Sequence, residues 1–266
     1  MKSLINYISE KLIIIPSQVD EKLVINKNYS DIYNYHPKDR NELELAIREH
    51  YNKGIYDLND IDVSEITDFS KLFLQDKNTG NKDFDISKWD VSNGKDFYYM
   101  FYGCKKFNCD LSNWDVRNGE NFGAMFYECK KFNQNLSEWD VSNGEFFYWM
   151  FEDCIKFNGD LRKWNVRNGQ TFKKMFFNCP NFNSDLSKWD VSNSTNFDSM
   201  FYGCSKFNYD LSKWNVSKGE NFSWMFGWCE NFNCNLSKWK IKDTAKTDKM
   251  FSNCNIVNKY KPKGVE

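Results

Sequence analysis

Seven tryptophans, Trp89, Trp114, Trp139, Trp164, Trp189, Trp214 and Trp239, follow one another at 25-residue intervals with no insertion between them. Methionine keeps the same period from Met100 to Met250, and cysteine from Cys104 to Cys254. A unit this short cannot bury its apolar face alone, so the copies must stack and share a core that grows along one dimension. An eighth, degenerate unit precedes them. In it Leu58, Ile61, Val63, Phe69, Leu72 and Phe73 take the places of Ile86, Trp89, Val91, Phe97, Met100 and Phe101. Its spacing to the next unit is 28 residues, which puts three extra residues in a loop around Asp76–Asn81. The last unit is atypical as well, with Thr247 and Val257 where Phe is usual, as expected of a unit that ends a stack.

Two spacings divide each unit. Ile86-x-x-Trp89-x-Val91 ends in alternation, which predicts a short strand with Trp89 and Val91 inward and Asp90 outward. Ser92-Asn93-Gly94 is turn chemistry. Phe97, Met100, Phe101 and Cys104 then fall at i, i+3, i+4 and i+7, which predicts one face of a short helix. The expected fold class is therefore an α/β repeat solenoid of short parallel strands and short helices. Upstream, PKDRNELELAIREHYNKG predicts a longer helix that caps the stack, with Asn41 as N-cap, Leu43, Ala46, Ile47 and Tyr51 as its apolar stripe, and Gly54 at its end. The expected domains are an N-terminal segment with this capping helix over 1–55, the repeats over 56–258 and a polar tail over 259–266.

Charge and chemistry narrow the function classes. The formal net charge is −1, which gives no electrostatic reason to expect nucleic acid or an anionic membrane as partner. Lys88, Lys163, Lys188, Lys213 and Lys238 form a basic column, yet aspartates run beside it. No stretch approaches the roughly 18 apolar residues of a membrane-spanning helix, so no membrane insertion is expected. The opening MKSLINYISEKLIIIP is interrupted by Glu10 and Lys11, which makes it a poor signal peptide. It predicts a short amphipathic helix with Leu4, Ile8 and Leu12 on one face, and an intracellular or virion-associated place is favoured over the cell surface. The nine cysteines contain no C-x-x-C pair, and His36 and His50 lie outside the repeats. The cysteine column belongs to a face otherwise made of Phe and Met, so buried free thiols are expected, with no metal. Asp90, Asp115, Asp140 and Asp190 form one carboxylate column, and Asp85, Asp110, Asp160, Asp185 and Asp210 another. A cross-coil charge ladder is the expected use, because the G-G-x-G-x-D motif of calcium-binding rolls is absent. No nucleophile–base set, metal set or phosphate loop rises above the repeat. No catalytic residue, cofactor or small-molecule substrate is expected.

Variation is concentrated in two columns. One reads Tyr99, Ala124, Trp149, Lys174, Ser199, Trp224, Lys249; the other reads Tyr102, Tyr127, Glu152, Phe177, Tyr202, Gly227, Ser252, with Trp228 beside Gly227. On the expected helix both point away from the core. Tyr99, Tyr102, Tyr127, Trp149, Phe177, Tyr202, Trp224 and Trp228 are therefore the candidate partner-binding residues, since aromatics dominate binding hot spots. The alternative for the second column is packing against the next coil, which would only broaden the core.

The string DISKWDVSNG…MFYGCKKFN, repeated with few changes over residues 56–258, resembles the BspA-like leucine-rich repeat family. The chain has NGKDF or NGENF where members usually carry Val-Thr-Asn-Met. The resemblance implies a leucine-rich-repeat-like, right-handed stack and, for secreted members, adhesion to host proteins. It supplies no catalytic residue. The expected function is a non-enzymatic protein-binding scaffold whose partner is a protein, a second copy included. The alternatives are a structural component of a virion or cell-surface assembly, and a secreted adhesin.

Overall fold

A computed structural model describes residues 33–74 and 83–265. The expected helix through Leu4, Ile8 and Leu12 and the expected loop around Asp76–Asn81 lie outside these residues. The described chain from Tyr33 onward clusters as one compact unit.

Its one α-helix among the described residues, α1, spans Arg40–Asn52. Asp39, rather than the expected Asn41, is the N-cap, and its carboxylate accepts from the Glu42 amide at 2.9 Å. Glu42 reaches back to the amide of Lys38 at 2.9 Å, so two otherwise orphaned amides are satisfied reciprocally. Asp39 wins because its extended backbone precedes the first helical residue, whereas Asn41 already lies inside the helix. Leu43, Ala46 and Ile47 bury the apolar stripe as expected, and His50 is buried with them. His50 places Nδ1 2.8 Å from the Ala46 carbonyl and Nε2 2.8 Å from Asp60, which pins α1 to the first coil.

The repeats depart from the expected strand and helix. Among the described residues the segments around Trp89–Val91 form no strand. Parallel pairing occurs instead as single bridges that run through Asp68, Asp96, Asn121, Phe146, Thr171, Asn196, Asn221 and Lys246, with further bridges Tyr35–Ile61 and Asp57–Asp85 at the first coils. The segment expected to be helical is two successive tight turns. The Met100 amide donates to the Phe97 carbonyl at 3.1 Å and the Cys104 amide to the Phe101 carbonyl at 3.0 Å. The third residue of each turn, Tyr99 and Gly103, has a left-handed φ of 57° and 73°, as a type II turn requires. The apolar spacing i, i+3, i+4, i+7 suits both conformations, because the first and last residues of each turn face inward.

Intercoil hydrogen bonding selects the turns. The amides of Phe97, Tyr99, Phe101 and Gly103 donate to the carbonyls of Asn121, Gly123, Met125 and Tyr127 in the next coil, at 2.8, 3.0, 2.9 and 2.7 Å. A helix would spend those amides on its own carbonyls and leave the stack without backbone bonds. The pattern recurs down the chain. In one line Tyr99 donates to Gly123, Ala124 to Tyr148, Trp149 to Lys173, Lys174 to Asp198, Ser199 to Ser223 and Trp224 to Asp248.

Side chains continue the ladder inside. Trp139 Nε1 donates to the Leu111 carbonyl at 2.9 Å and Cys179 Sγ to the Phe151 carbonyl at 2.9 Å, each 28 residues back. Trp114, Trp164, Trp189, Trp214 and Trp239 repeat the first bond, and Cys129, Cys154, Cys204 and Cys229 the second. The column residues thus offer both apolar bulk and a donor that satisfies a buried carbonyl. Phenylalanines stack coil on coil, Phe97 on Phe122 at 5.5 Å between centroids and Phe126 on Phe151 at 5.5 Å. Gly169 is needed for space, since a Cβ there would lie 2.6 Å from Phe172 Cζ. One coil carries Ser194 instead, and there the ring spacing between Phe172 and Phe197 opens to 6.1 Å.

Past the last coil, the expected polar tail is partly integrated. A 3₁₀ helix spans Asn258–Tyr260, the Tyr260 carbonyl accepts from the Leu236 amide at 2.7 Å, and Tyr260 and Val265 pack against the core.

Candidate interaction face

The two variable columns occupy specific places in the paired turns. Tyr99, Ala124, Trp149, Lys174, Ser199, Trp224 and Lys249 are the left-handed residues of the first turn, with φ between 51° and 59°. Gly103, Glu128, Asp153, Asn178, Gly203, Trp228 and Asn253 are those of the second. The second position is mostly Gly, Asn or Asp, the residues that tolerate this region. The first holds none of them. Any residue with a Cβ costs about 1–2 kcal/mol in this region, because the Cβ crowds the following carbonyl, so Tyr99, Trp149, Trp224 and Trp228, like Ala124, Lys174 and Ser199, sit where the backbone disfavours them.

All eight candidate residues face outward on this side of the stack. Trp228 is 46% exposed, and the other seven are half-buried. They gather into two groups. In the first, Tyr102 stacks on Tyr127 at 4.6 Å and meets Tyr99 edge-on at 4.9 Å. Tyr98 and Tyr148, which lie outside the two variable columns, join it. Tyr98 lies 4.1 Å from Tyr99 and 6.0 Å from Tyr148, and Tyr148 lies 5.4 Å from Trp149. Gly123 makes this possible, since a Cβ there would lie 2.7 Å from the Tyr148 ring. Residue order carries a signal for this, since the column Tyr98, Gly123, Tyr148 immediately precedes that of Tyr99, Ala124 and Trp149. In the second group, Phe177 stacks on Tyr202 at 4.7 Å and Tyr202 meets Trp224 edge-on at 5.7 Å. Lys249 lies over the Trp224 ring at 4.9 Å. The 102 column therefore does stack along the axis while leaving part of each ring accessible.

Glu152 separates the groups. It is buried, and Lys174 Nζ lies 3.4 Å from its carboxylate while also resting 4.6 Å from the centre of Phe177. Burial pushes the Glu152 carboxyl up to about 6, against the opposing pull of Lys174. Burial also raises Tyr127 to about 12, helped by the nearby Glu152 charge. Trp149 Nε1 is buried and has no acceptor among the described residues.

The other candidate chemistries resolve into structural roles. Asp85, Asp90, Asp110, Asp140, Asp160, Asp185, Asp190 and Asp210 accept from the amide two residues on, between 2.8 and 3.1 Å. Each thereby caps a local turn. The expected charge ladder is sparse at these columns, with Arg167 and Asp190 3.8 Å apart across coils. Cross-coil pairs instead join other positions, as Lys163 with Glu138 at 2.6 Å and Lys95 with Glu120 at 3.3 Å. All nine cysteines are free. Burial pushes Cys104 up to about 12 and Cys129, Cys154, Cys179, Cys204 and Cys229 well above the usual thiol range, which keeps them in the unreactive thiol form. Among the described residues no group of three His, Cys, Asp or Glu side chains has the arrangement to hold a metal ion, and no helix is long and apolar enough to cross a membrane.

A family model described as "Mycoplasma protein of unknown function, DUF285" matches the chain twice in tandem, over residues 43–158 and 145–263. No curated protein and no solved structure matches it.

Proposed function

Starting from the chain's membership of this Mycoplasma repeat family, which has no known function, we propose that the protein is a non-enzymatic scaffold that binds a protein partner through its outward aromatic face. The observation that carries this reading is the placement of Tyr99, Trp149, Trp224 and Trp228 at left-handed positions, where Gly or Asn would relieve the backbone. Aromatic side chains held at that cost, partly exposed and clustered, are the residue type that dominates protein-binding hot spots. On this reading the chain is a leucine-rich-repeat-like solenoid related to the BspA-like repeats. The repetitive inner columns serve stacking, and the aperiodic outer columns serve recognition.

Substituting Trp149, Trp224 and Trp228 together by Ala tests the reading. The variant keeps the wild-type circular dichroism and a cooperative melt, while proteins captured by immobilised wild-type chain from its native cells are lost. An unchanged set of captured proteins would sink it.

A further inference from the structure

Within the paired turns the intercoil backbone hydrogen bonds point one way, although the amide just before each pair, such as Lys95 to Thr67, points back. In each of the six coils from Phe97 to Trp228 four amides donate toward the coil that follows, and the intervening carbonyls accept from the coil before. The stack is therefore polar along its axis, as an α-helix is, with an amide end and a carbonyl end. In the last coil the amides of Thr247, Lys249, Phe251 and Asn253 stand in the donating frame, and none has an acceptor among the described residues. In the first coil the carbonyls of Asp68, Ser70 and Leu72 occupy the accepting frame, and none accepts from a described residue. α1 crosses this end from Arg40 beside Asp68 to His50 beside Asp60, and Lys71 and Leu74 remain exposed.

The ends also carry opposite charge. Residues 33–74 hold nine carboxylates against five lysine and arginine side chains, whereas residues 239–265 hold seven lysines against two aspartates. Lys242, Lys246 and Lys249 are exposed at the amide end. Cations at the positive pole and carboxylates at the negative pole are each disfavoured within one molecule. Both become favourable where the two ends meet.

We infer that the amide end of this chain docks the carbonyl end of a second copy, head to tail. The contact continues the ladder in register and pairs Lys246 and Lys249 of one copy with the carboxylates around Glu65 and Asp68 of the next. A heterologous contact of this kind leaves both outer ends open, so it produces an extending series rather than a closed dimer. This surface adjoins the aromatic face at Lys249, which lies over Trp224, but does not rest on that face's function.

Sedimentation velocity on the full chain across a concentration series, at low and at high salt, reads the contact. The expected result is a progression of species that lengthens with concentration and shortens at high salt. The exposed-residue variants Lys246→Glu/Lys249→Glu and Glu65→Lys each weaken association at least tenfold, while an equimolar mixture of the two restores it, because each supplies the complement the other lacks. A Trp149→Ala/Trp228→Ala variant, which keeps Trp224 under Lys249, assembles like wild type, and this separates the contact from the partner-binding face. Monomer at every concentration in low salt overturns the inference. So does a closed dimer, or assembly indifferent to the charge reversals in variants shown by circular dichroism to be folded.

Discussion

Glu152 is the one buried carboxylate of the outer columns, in a place that neighbouring coils fill with aromatic rings. Its folded value of about 6 lies above the ordinary 4.5. The unfolded chain therefore gives up this proton more readily than the folded one, and wild-type stability falls as pH rises from about 4.5 through about 6. Glu152→Gln removes that dependence. Thermal melts of the variant and wild type should coincide in their pH trend below about 4.5, with the variant gaining relative stability up to about pH 6 and holding the gain above it. A wild-type advantage that grows with pH would mean the Lys174 pair outweighs burial. The same residue shows what a column can tolerate. A carboxylate enters an apolar stack because Lys174, itself in a variable position one coil on, reaches back to it.

The paired turn is the element that decides how each unit behaves. It holds its shape through two i to i+3 bonds and four bonds to the next coil, so the left-handed residue within it need not be the best residue for that backbone. Trp228 makes the point: its amide donates to Ser252 at 2.8 Å, its φ is 59°, and its side chain is 46% exposed. Trp228→Gly keeps the backbone bond and relieves the conformation, so urea unfolding should show stability unchanged or raised by up to about 1 kcal/mol. A loss of 2 kcal/mol or more would show that the indole holds the fold rather than a partner. Apolar spacing could not distinguish this element from a helix, since both place Phe97, Met100, Phe101 and Cys104 inward. The distinction lay in where the amides go, and that depends on the neighbouring coil.

At the scale of the molecule, a stack whose junctions are alike should shorten by whole units. Deleting residues 158–182 joins Phe157 to Asn183 in register and removes one Trp, one Met and one Cys from their columns. The shortened chain should unfold cooperatively with a smaller denaturant dependence and a lower midpoint, because fewer junctions share the cost of ordering. Loss of cooperative unfolding would mean that coil identity, rather than coil number, supports the core. At the ends of the stack only the apolar core is covered, by α1 through Leu43, Ala46 and Ile47 at one and by Tyr260 and Val265 at the other, while the edge of the paired turns finds no partner among the described residues.

The 25-residue period, the inward columns and α1 were all legible in the residue order, because burial periodicity is written in composition at fixed intervals. The buried state of Trp139, Met150 and Cys154 follows from that alone. The residue that caps α1 is not fixed by residue order, since Asp39 and Asn41 are both good caps and the backbone between them chooses Asp39. The aspartate columns suggest a charge ladder in sequence, yet most cap their own turns, because an amide two residues away is closer than any lysine on the next coil. Tyr98 and Tyr148 entered the outer face only through Gly123, which lets one ring reach across a coil. Periodicity determines which residues are buried. The hydrogen bonds between coils decide the backbone that buries them, because each amide takes the nearest unsatisfied carbonyl, and stacking alone brings that carbonyl within reach.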